Sequence, residues 1–387
     1  MRLIAVQTGL SPHSVLGGTI TDREVLTRLA DRGVEVHVLA EAGEPIIEHE
    51  NLVPHYWRRR LRKRVPYMGN IDVALDLGPL LQQVGPVDWI RFNSPYGVGI
   101  GTVLAAGKRR VWGSYLHCED DALWKWIDRW LPGRCNIVTC LSEDTRADLV
   151  MRCPAADRPS TVVVPMGIDA ARFARSASMR EETRRALDVQ DSDVLVLYVG
   201  TLIPRKGIDD LVKAWELLGA RCDARLLVIG RSTSPAEAAA IAGLVGRDRR
   251  VTHVESIPYE QMPRYFHASD IFLFPTHLEG FGIVVGEAMA CGLPVVTTRA
   301  KGVRGVVVEN ETALLTDVGN PKELAQQLAR LIENPGLRRR LGMTGRKRVA
   351  ERFDWDTIVD TLLGVLESGL GDKDASGDRP RRSCVSR

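Results

Sequence analysis

Apolar and polar positions in the first half of the chain alternate in two patterns. Short runs rich in β-branched and aromatic residues predict strands, and apolar residues at three- and four-residue spacing predict helices such as Thr21–Ala30 and Glu143–Met151. The predicted strands are Leu3–Gln7, Val34–Leu39, Trp89–Phe92, Arg110–Leu116 and Asn136–Leu141. Strands that alternate with helices in this way favour a doubly wound parallel sheet.

A second alternating set occupies the other half of the chain. Its predicted strands are Val194–Val199, Arg225–Ile229, Val251–Val254, Ile271–Phe274 and Pro294–Thr298. Its predicted helices are Asp209–Leu218, Pro235–Val245, Glu260–Ala268 and Ile283–Cys291. Two sets of about 180 residues each predict an α/β protein of two Rossmann-like domains that face each other across a ligand cleft.

The stretch between the two sets breaks the alternation. A strand at Thr161–Val164 is followed by a Pro-Met-Gly-Ile-Asp turn and by the charged stretch Arg172–Arg185, which we interpret as an interdomain linker. Towards the end of the chain, helical spacing recurs over Lys322–Ile332, Leu337–Arg352 and Asp356–Glu367. Residues 371–387 carry almost no apolar side chains and are predicted to be disordered. The predicted division is a first domain over 1–168, a second over 169–352, a last helix over 353–370 and a tail over 371–387.

Composition narrows the function classes. A net charge of +3 over 387 residues is too small to favour nucleic acid as a partner. No apolar run approaches the roughly 18 residues of a membrane-spanning helix, and Met1–Val6 is too short for a signal peptide. The 7 cysteines are scattered without a Cys-x-x-Cys pair, which favours buried free thiols in a reducing cytoplasm over disulfides or zinc. The frequent Arg and Ala residues are typical of a GC-rich bacterial genome.

The strongest chemical signal is the stretch from Glu279 to Val296. Gly280 and Gly282 flank Phe281 and precede a run of helix formers, which predicts a glycine-rich loop at a helix start. The free N–H groups and the helix dipole at such a start suit a diphosphate. Glu287 lies five residues past Gly282, roughly 7.5 Å along the helix axis, where its carboxylate could accept hydrogen bonds from ribose hydroxyls.

Three further places could carry chemistry. Arg205 and Lys206 follow a predicted strand and a glycine turn, where they could bind a diphosphate or simply lie in solvent. Gly17 and Gly18 precede a helix after the first strand, in a loop that is either an ordinary flexible loop or a close approach of backbone to ligand. His117 ends a predicted strand beside acidic residues and is either structural or a site residue.

A basic run occupies residues 58–64, and three tryptophans follow farther along, Trp124, Trp126 and Trp130. The run from Arg58 to Arg64 has three readings: a solvated loop, a peripheral contact with anionic membrane, or a site for an anionic acceptor. The pattern alone leaves all three open.

The stretch Glu279–Val296 resembles the signature of family 4 of the retaining glycosyltransferases, which have the GT-B architecture of two facing Rossmann-like domains. That signature is a Glu, seven residues, a second Glu, and a small-residue stretch ending in Gly-x-Pro-Val-Val; here Gly292-Leu293-Pro294-Val295-Val296 supplies the end. The resemblance implies that Glu279 binds sugar hydroxyls and Glu287 the ribose. The surrounding stretch, from Gly280 through Phe281, Gly282 and Ile283 to Val284, would bind the donor.

The same resemblance assigns the other residues. Arg205 and Lys206 would neutralise the leaving diphosphate, Gly17 and Gly18 would contact the donor phosphate, and His117 would reach the transferred sugar. A final helix would cross back to the first domain. Glu279, His117, Arg205 and Lys206 would form the catalytic set.

The implied reaction transfers a sugar from a nucleotide diphosphate sugar to an acceptor hydroxyl with retention, on the front face, without a metal or a further cofactor. Asp191-Ser192-Asp193 matches a metal motif by letters, but it opens a strand and is predicted to be a turn. The acceptor stays open among a lipid, a cyclitol, an antibiotic core and a polysaccharide, and the oligomeric state is not predicted. The alternatives are a nucleotide-sugar epimerase or hydrolase, and a silent nucleotide-sugar-binding protein.

Overall fold

The computed structural model describes residues 1–7, 10, 17–58, 69–115, 122–154, 159–174, 176–219 and 223–371. Its first sheet has 7 parallel strands in the order β3-β2-β1-β4-β5-β6-β7. These are β1 Arg2–Val6, β2 Glu35–Glu41, β3 Leu52–Trp57, β4 Trp89–Phe92, β5 Val111–Tyr115, β6 Ile137–Cys140 and β7 Ser160–Val163. The helices that accompany them are α1 Gly17–Asp31, α2 Gly69–Val84, α3 Ile100–Ala106, α4 Ala122–Trp130 and α5 Glu143–Arg152.

The second sheet has 6 parallel strands in the order β10-β9-β8-β11-β12-β13. These are β8 Val194–Val199, β9 Ala224–Ile229, β10 Val251–Val254, β11 Ile271–Phe274, β12 Val295–Thr298 and β13 Ala313–Thr316. Its helices are α6 Ala177–Ala186, α7 Ile208–Leu218, α8 Pro235–Arg247, α9 Met262–Ala268, α10 Ile283–Ala290, α11 Val303–Val306, α12 Pro321–Glu333 and α13 Pro335–Arg352; α14 Trp355–Gly371 ends the described chain.

In both sheets the first strands are added on one side of the first strand of the set, and the later strands are added on its other side. This change of side falls between β1 and β4 in one sheet and between β8 and β11 in the other. A ligand crevice opens at such a switch point, outside the carboxyl ends of the strands. The prediction of two doubly wound parallel sheets is therefore confirmed.

Several elements were missing from the sequence prediction, among them the strands β3 and β13 and the helix α6. β3 carries Pro54 and alternates buried with exposed residues, because it is the edge strand next to β2. The stretch interpreted as a linker contains α6, so that interpretation was wrong for residues 177–186. Only Thr183 and Arg184 of this helix are buried, so it has no apolar periodicity to reveal it.

The last helix, α14, packs on the first sheet's side of the molecule, as the resemblance implied. Its buried residues belong to the same core as those of α1 and β2; they are Trp355, Ile358, Val359, Leu362 and Leu366. Arg32, which directly follows α1, pairs with Asp360 at 2.6 Å and Asp356 at 2.9 Å.

The segment that leaves the first domain and the segment that returns to it lie side by side. The N–H of Ile168 donates to the carbonyl of Phe353 at 2.6 Å. Gly167 packs directly on Trp355, whose ring would lie 2.1 Å from a Cβ at that position.

Four cysteines of the described residues, Cys135, Cys140, Cys153 and Cys291, are buried and free. This agrees with the prediction; Cys118, Cys222 and Cys384 lie outside the described residues. None of the helices in the described ranges has the length and apolar character that crossing a membrane requires.

Candidate functional site

Two loops at the carboxyl end of the second sheet are bound to each other. The loop after β8 ends in a short 3-10 turn, Pro204–Lys206, and the loop after β11 leads to α10. The N–H of His277 donates to the carbonyl of Arg205 at 2.8 Å. Gly207 has φ +69°, and the carbonyl oxygen of Pro275 would lie 1.8 Å from a Cβ there. Glycine is therefore required at this position for the two loops to touch.

An ion pair joins the same two loops. Lys206 Nζ donates to Glu279 Oε1, and the hydroxyl of Thr276 donates to that oxygen at 3.1 Å. Arg205 Nη1 donates to the carbonyl of Leu278 at 2.7 Å and lies 3.9 Å from Glu279 Oε2. Burial lowers the pKa of Lys206, an effect that the Glu279 carboxylate opposes. The structure thus brings together three residues that the sequence only placed on separate loops.

The helix α10 begins at Ile283 and is preceded by Gly282, the N-cap residue, which has φ +83° and ψ +51°. No side chain among the described residues caps this helix. The N–H groups of Ile283 and Val284 are left at the helix start, where an anion can accept from them. Gly280 precedes this start in the same loop, next to the Glu279 ion pair.

The ring of Phe281 belongs to the core of the second domain. It is 3% exposed and meets Phe353 edge to face, with ring centroids 5.5 Å apart. Its side chain cannot face a ligand in this arrangement, so only its backbone could contribute to donor binding. Its buried ring anchors the glycine loop on either side of it.

Glu287 has very different surroundings from Glu279. Its carboxylate is 5% exposed and accepts a hydrogen bond from the Tyr259 hydroxyl at 2.7 Å. Burial raises the pKa of Glu287 to about 7, while the Tyr259 hydrogen bond and the charge of Arg172 act in the opposite direction. The guanidinium of Arg172 lies over the Tyr259 ring, 4.7 Å from its centroid.

A cavity of about 20 Å³ borders Glu287. It is lined from the second domain by Tyr259 and Arg172 and from the first domain by Ile20 and Glu24 of α1. This volume is close to that of one water molecule and far below that of a ribose. A sugar could reach Glu287 here only after Tyr259 or α1 had moved.

Gly17 and Gly18 form the start of α1, at the carboxyl end of β1. They therefore lie on the crevice side of the first sheet. His117 lies outside the described residues, so its role remains a prediction.

Ion pairs cross from the first domain to the second beside Glu279. Asp148 of α5 binds Lys301 Nζ at 2.8 Å, and Asp144 binds Arg304 Nη2 at 2.6 Å. Asp144 also accepts from the N–H of Gly302 at 3.1 Å. The carbonyl of Lys301 accepts the N–H of Glu279 at 3.2 Å, so the crossing pairs and the Glu279 loop share one short segment.

The basic run lies almost entirely outside the described residues, which include only Arg58. Farther along the first domain, Trp126 and Trp130 stack on α4 with ring centroids 6.0 Å apart, and Trp126 is 54% exposed. The side chain of Trp124 lies outside the described residues. A membrane contact of this surface stays a prediction.

Two family models match the chain and together span most of it. The model described as Glycosyltransferase Family 4 matches residues 17–172, and the model described as Glycosyl transferases group 1 matches residues 179–348. The chain belongs to the group 1 glycosyltransferases. The second match contains the Arg205–Lys206 loop and the whole Glu279–Val296 stretch.

Curated relatives agree with this family. The D-inositol 3-phosphate glycosyltransferase of Acidothermus cellulolyticus is 36% identical over 221 residues, which cover 54% of this chain and 48% of that protein. The GDP-mannose-dependent monoacylated alpha-(1-6)-phosphatidylinositol monomannoside mannosyltransferase of Corynebacterium glutamicum is 27% identical over 295 residues, covering 72% and 76%. The chain spans about half the length of the D-inositol 3-phosphate glycosyltransferases it matches.

A solved structure establishes the fold. The sucrose-phosphate synthase from Thermosynechococcus elongatus superposes with a TM-score of 0.83 at 23% identity, over 96% of this chain and 100% of that chain. Its likeness confirms the GT-B architecture that the resemblance to the family 4 signature implied.

Sequence reasoning missed several residues of this candidate site. Tyr259 and Arg172 approach Glu287 from distant parts of the chain, and no motif marked them. Asp144 and Asp148 stand four positions apart on α5, a spacing that places two carboxylates on one helix face, but nothing indicated a partner. Asp193 pairs with Arg225 Nε at 2.9 Å beside β8, in keeping with a turn before that strand.

Proposed function

We propose that this protein transfers a sugar from a nucleotide diphosphate sugar to an acceptor hydroxyl with retention of the anomeric configuration. The observation that carries the proposal is the contact of Lys206, Arg205 and Glu279 beside the uncapped start of α10. Cations and helix N–H groups at one point suit a diphosphate, and the adjacent carboxylate suits sugar hydroxyls.

Charge development at the bond to be broken gives these groups their role. Cleavage of the sugar–phosphate bond adds negative charge to the diphosphate and positive character to the anomeric carbon. Arg205, Lys206 and the N–H groups at the start of α10 would stabilise the first, in a geometry set before the reaction begins. The arrangement supplies this stabilisation from side chains and backbone, which supports a metal-independent reaction.

Retention on the front face requires no protein nucleophile, because the leaving phosphate itself assists removal of the acceptor proton. Glu279 would hold hydroxyls of the transferred sugar and Glu287 those of the ribose. His117, in the first domain, would contact the sugar beside the reacting carbon. The cross-domain pairs of Asp144 and Asp148 would keep the cleft closed and limit hydrolysis.

A phosphorylated cyclitol is the acceptor class that the relatives support best, since the first relative is a D-inositol 3-phosphate glycosyltransferase. The match covers only about half the length of these relatives, so the acceptor belongs to the proposal and is not taken over from them as a finding. A lipid-linked cyclitol is the second class, supported by the mannosyltransferase relative.

A two-step experiment tests the proposal. Thermal shift across UDP-, GDP-, ADP- and TDP-sugars identifies the donor, since a bound ligand raises the apparent melting temperature. Turnover is then measured with and without inositol phosphate and with EDTA, and the anomeric configuration of the product is read by NMR. An inverted product, or loss of turnover in EDTA, would contradict the proposed mechanism. Donor consumption at the same rate without any acceptor would identify a hydrolase or epimerase instead.

A further inference from the structure

A second cleft lies at the opposite end of the second sheet from the donor loops. It has a volume of about 380 Å³ and is bordered by the amino ends of β11 and β12, by α6 and by α13. β11 separates it from the donor loop that begins at Pro275. Four residues of strand at 3.3 Å each place the two sites at least about 13 Å apart. The cleft is therefore a separate place on the molecule.

Backbone contacts fix the floor of this cleft. Gly342 of α13 packs on the turn after α10, where the carbonyl oxygen of Gly292 would lie 2.0 Å from a Cβ. Gly345 packs on Met289, whose nearest atom would lie 3.3 Å from a Cβ. α13 is thus held against the core by close packing at both positions, and Gly342 admits only glycine, so the cleft beside the helix has a defined shape.

Arginines line the cleft and outnumber its acids. They are Arg180, Arg338, Arg339 and Arg346, and the one lining carboxylate is Asp270. Asp270 is already shared, because Arg180 binds it at 2.7 Å and Arg184 at 3.1 Å. The lining therefore keeps a net positive charge.

The inner arginines, Arg180 and Arg338, both donate to carbonyl groups, which do not offset their charge. Arg180 is also paired with Asp270, whereas Arg338 forms no ion pair within the described residues. Arg180 Nη1 donates to the carbonyls of His267 and Ser269 at 2.9 and 3.0 Å. Arg338 Nη1 donates to those of Leu331 and Ile332, both at 2.7 Å.

The surroundings of Arg338 disfavour its charged form. Burial lowers the pKa of Arg338, and the neighbouring charges of Arg339 and Arg180 lower it further, against the attraction of Asp270. A bound anion would relieve this repulsion.

The outer arginines are presented to a ligand from one face of α13. Arg339 and Arg346 are seven positions apart and exposed, and within the described ranges neither forms an ion pair or a hydrogen bond. Met343 lies between them on the same face and is 74% exposed, and Leu293 and Pro294 form the facing wall. Two free guanidinium groups above an apolar surface suit a phosphoryl group attached to an apolar or ring-shaped body.

From this geometry we infer a second binding site, for a small phosphate ester, in the cleft between α13 and the amino ends of β11 and β12. Arg339 and Arg346 bind the phosphoryl group, and Met343, Leu293 and Pro294 contact the body of the ligand. The inference is independent of the proposed transfer reaction, since no residue of the donor loops takes part.

Calorimetric titration with phenyl phosphate at low ionic strength tests the site, with benzyl alcohol as the uncharged probe. The wild-type chain should bind phenyl phosphate and not benzyl alcohol. Arg339→Gln/Arg346→Gln should weaken binding by about tenfold or more, since each removes a charge-assisted hydrogen bond. The matched control is Arg340→Gln/Lys347→Gln, which removes two charges at the same spacing on the neighbouring face of α13.

Any of three outcomes would overturn the inference. The first is no binding of phenyl phosphate to the wild-type chain, and the second is equal binding to Arg339→Gln/Arg346→Gln. The third is loss of binding in Arg205→Gln/Lys206→Gln alone, which would place the probe at the donor loops. Melting temperatures of all variants, measured without probe, show that a loss of binding is not a loss of fold. Failure of this binding test leaves the proposed sugar transfer untouched. Failure of the proposed sugar transfer likewise leaves the second binding site untouched.

Discussion

Glu279 and Glu287 are eight positions apart, yet their carboxylates lie in opposite environments. Glu279 is bound by Lys206 and Thr276 and has Arg205 close by. Glu287 is buried beside the hydroxyl of Tyr259, and its pKa is raised to about 7. The spacing of a motif therefore fixes where two carboxylates lie along the chain, while residues outside the motif decide what surrounds each of them.

The largest expected effect comes from removing Lys206, the ion-pair partner of Glu279. Lys206→Ala removes the cation that would meet the leaving diphosphate, and turnover should fall by about 10²- to 10³-fold, as for loss of one preorganised donor. Steady-state kinetics with the true donor measures this. Lys213→Ala, on the exposed face of α7, is the matched control and should leave turnover unchanged. A Lys206→Ala enzyme within a few-fold of wild type would show that the ion pair is only structural.

The next effect concerns the contribution of Glu287 to the free energy of unfolding and its dependence on pH. The pKa of Glu287 is about 7 in the folded chain and near 4.5 when unfolded, so the folded state prefers the protonated form. Its stabilising contribution is full below pH 4.5 and is lost as pH rises through 7, by about 3 kcal/mol in all.

Urea unfolding at pH 5 and pH 8 measures this loss. Glu287→Gln should lack it and exceed wild type in free energy of unfolding at pH 8. Glu260→Gln, at an exposed position, is the control and should follow the wild-type pH dependence. Parallel curves for wild type and Glu287→Gln would show that Glu287 is ionised throughout.

A smaller effect concerns Tyr259, the hydrogen-bond partner of Glu287. The hydroxyl of Tyr259 stabilises the ionised form of Glu287, so Tyr259→Phe should raise the pKa of Glu287 further. If ionised Glu287 binds the ribose, donor affinity falls as pH drops below about 7 in the wild type. In Tyr259→Phe that midpoint should move up by about one pH unit. Titrations of donor affinity against pH, with Tyr265→Phe as control, would exclude this role if the midpoint stayed in place.

The smallest effect tests the attachment of the Glu279 loop to the first domain. Lys301 and Arg304 are about half exposed, so their pairs with Asp148 and Asp144 should each contribute less than about 1 kcal/mol. Lys301→Gln/Arg304→Gln should raise the donor KM a few-fold at low salt, and the difference from wild type should vanish near 1 M salt. Lys322→Gln on α12 is the control. A difference in donor KM that persists near 1 M salt would show that the substitutions act by changing the shape of the loop and not by removing the ion pairs.

The parts of the molecule that sequence predicted are those with a local signal. The apolar strand β11, the glycines around Phe281 and the eight-residue spacing of the two glutamates all lie within short windows. The parts that it missed depend on long-range contacts: Tyr259 reaches Glu287 across 28 positions, and Asp144 reaches Arg304 across 160. α6 escaped notice because its arginines are satisfied by carbonyls and Asp270 of a distant segment, which no periodicity encodes.

The pairing of the two chain crossings, Ile168 beside Phe353, has a mechanical consequence. Both covalent links between the domains pass through this one point, and the ring of Trp355 packs against Gly167 there. Two links at a single point act as a pivot: they permit rotation and resist sliding. The pair of Lys301 with Asp148 is a second, half-exposed contact between the two domains, so a rotation about this point would separate that pair while Gly167 stays against Trp355. The cleft can therefore open without breaking the packing that joins its two halves.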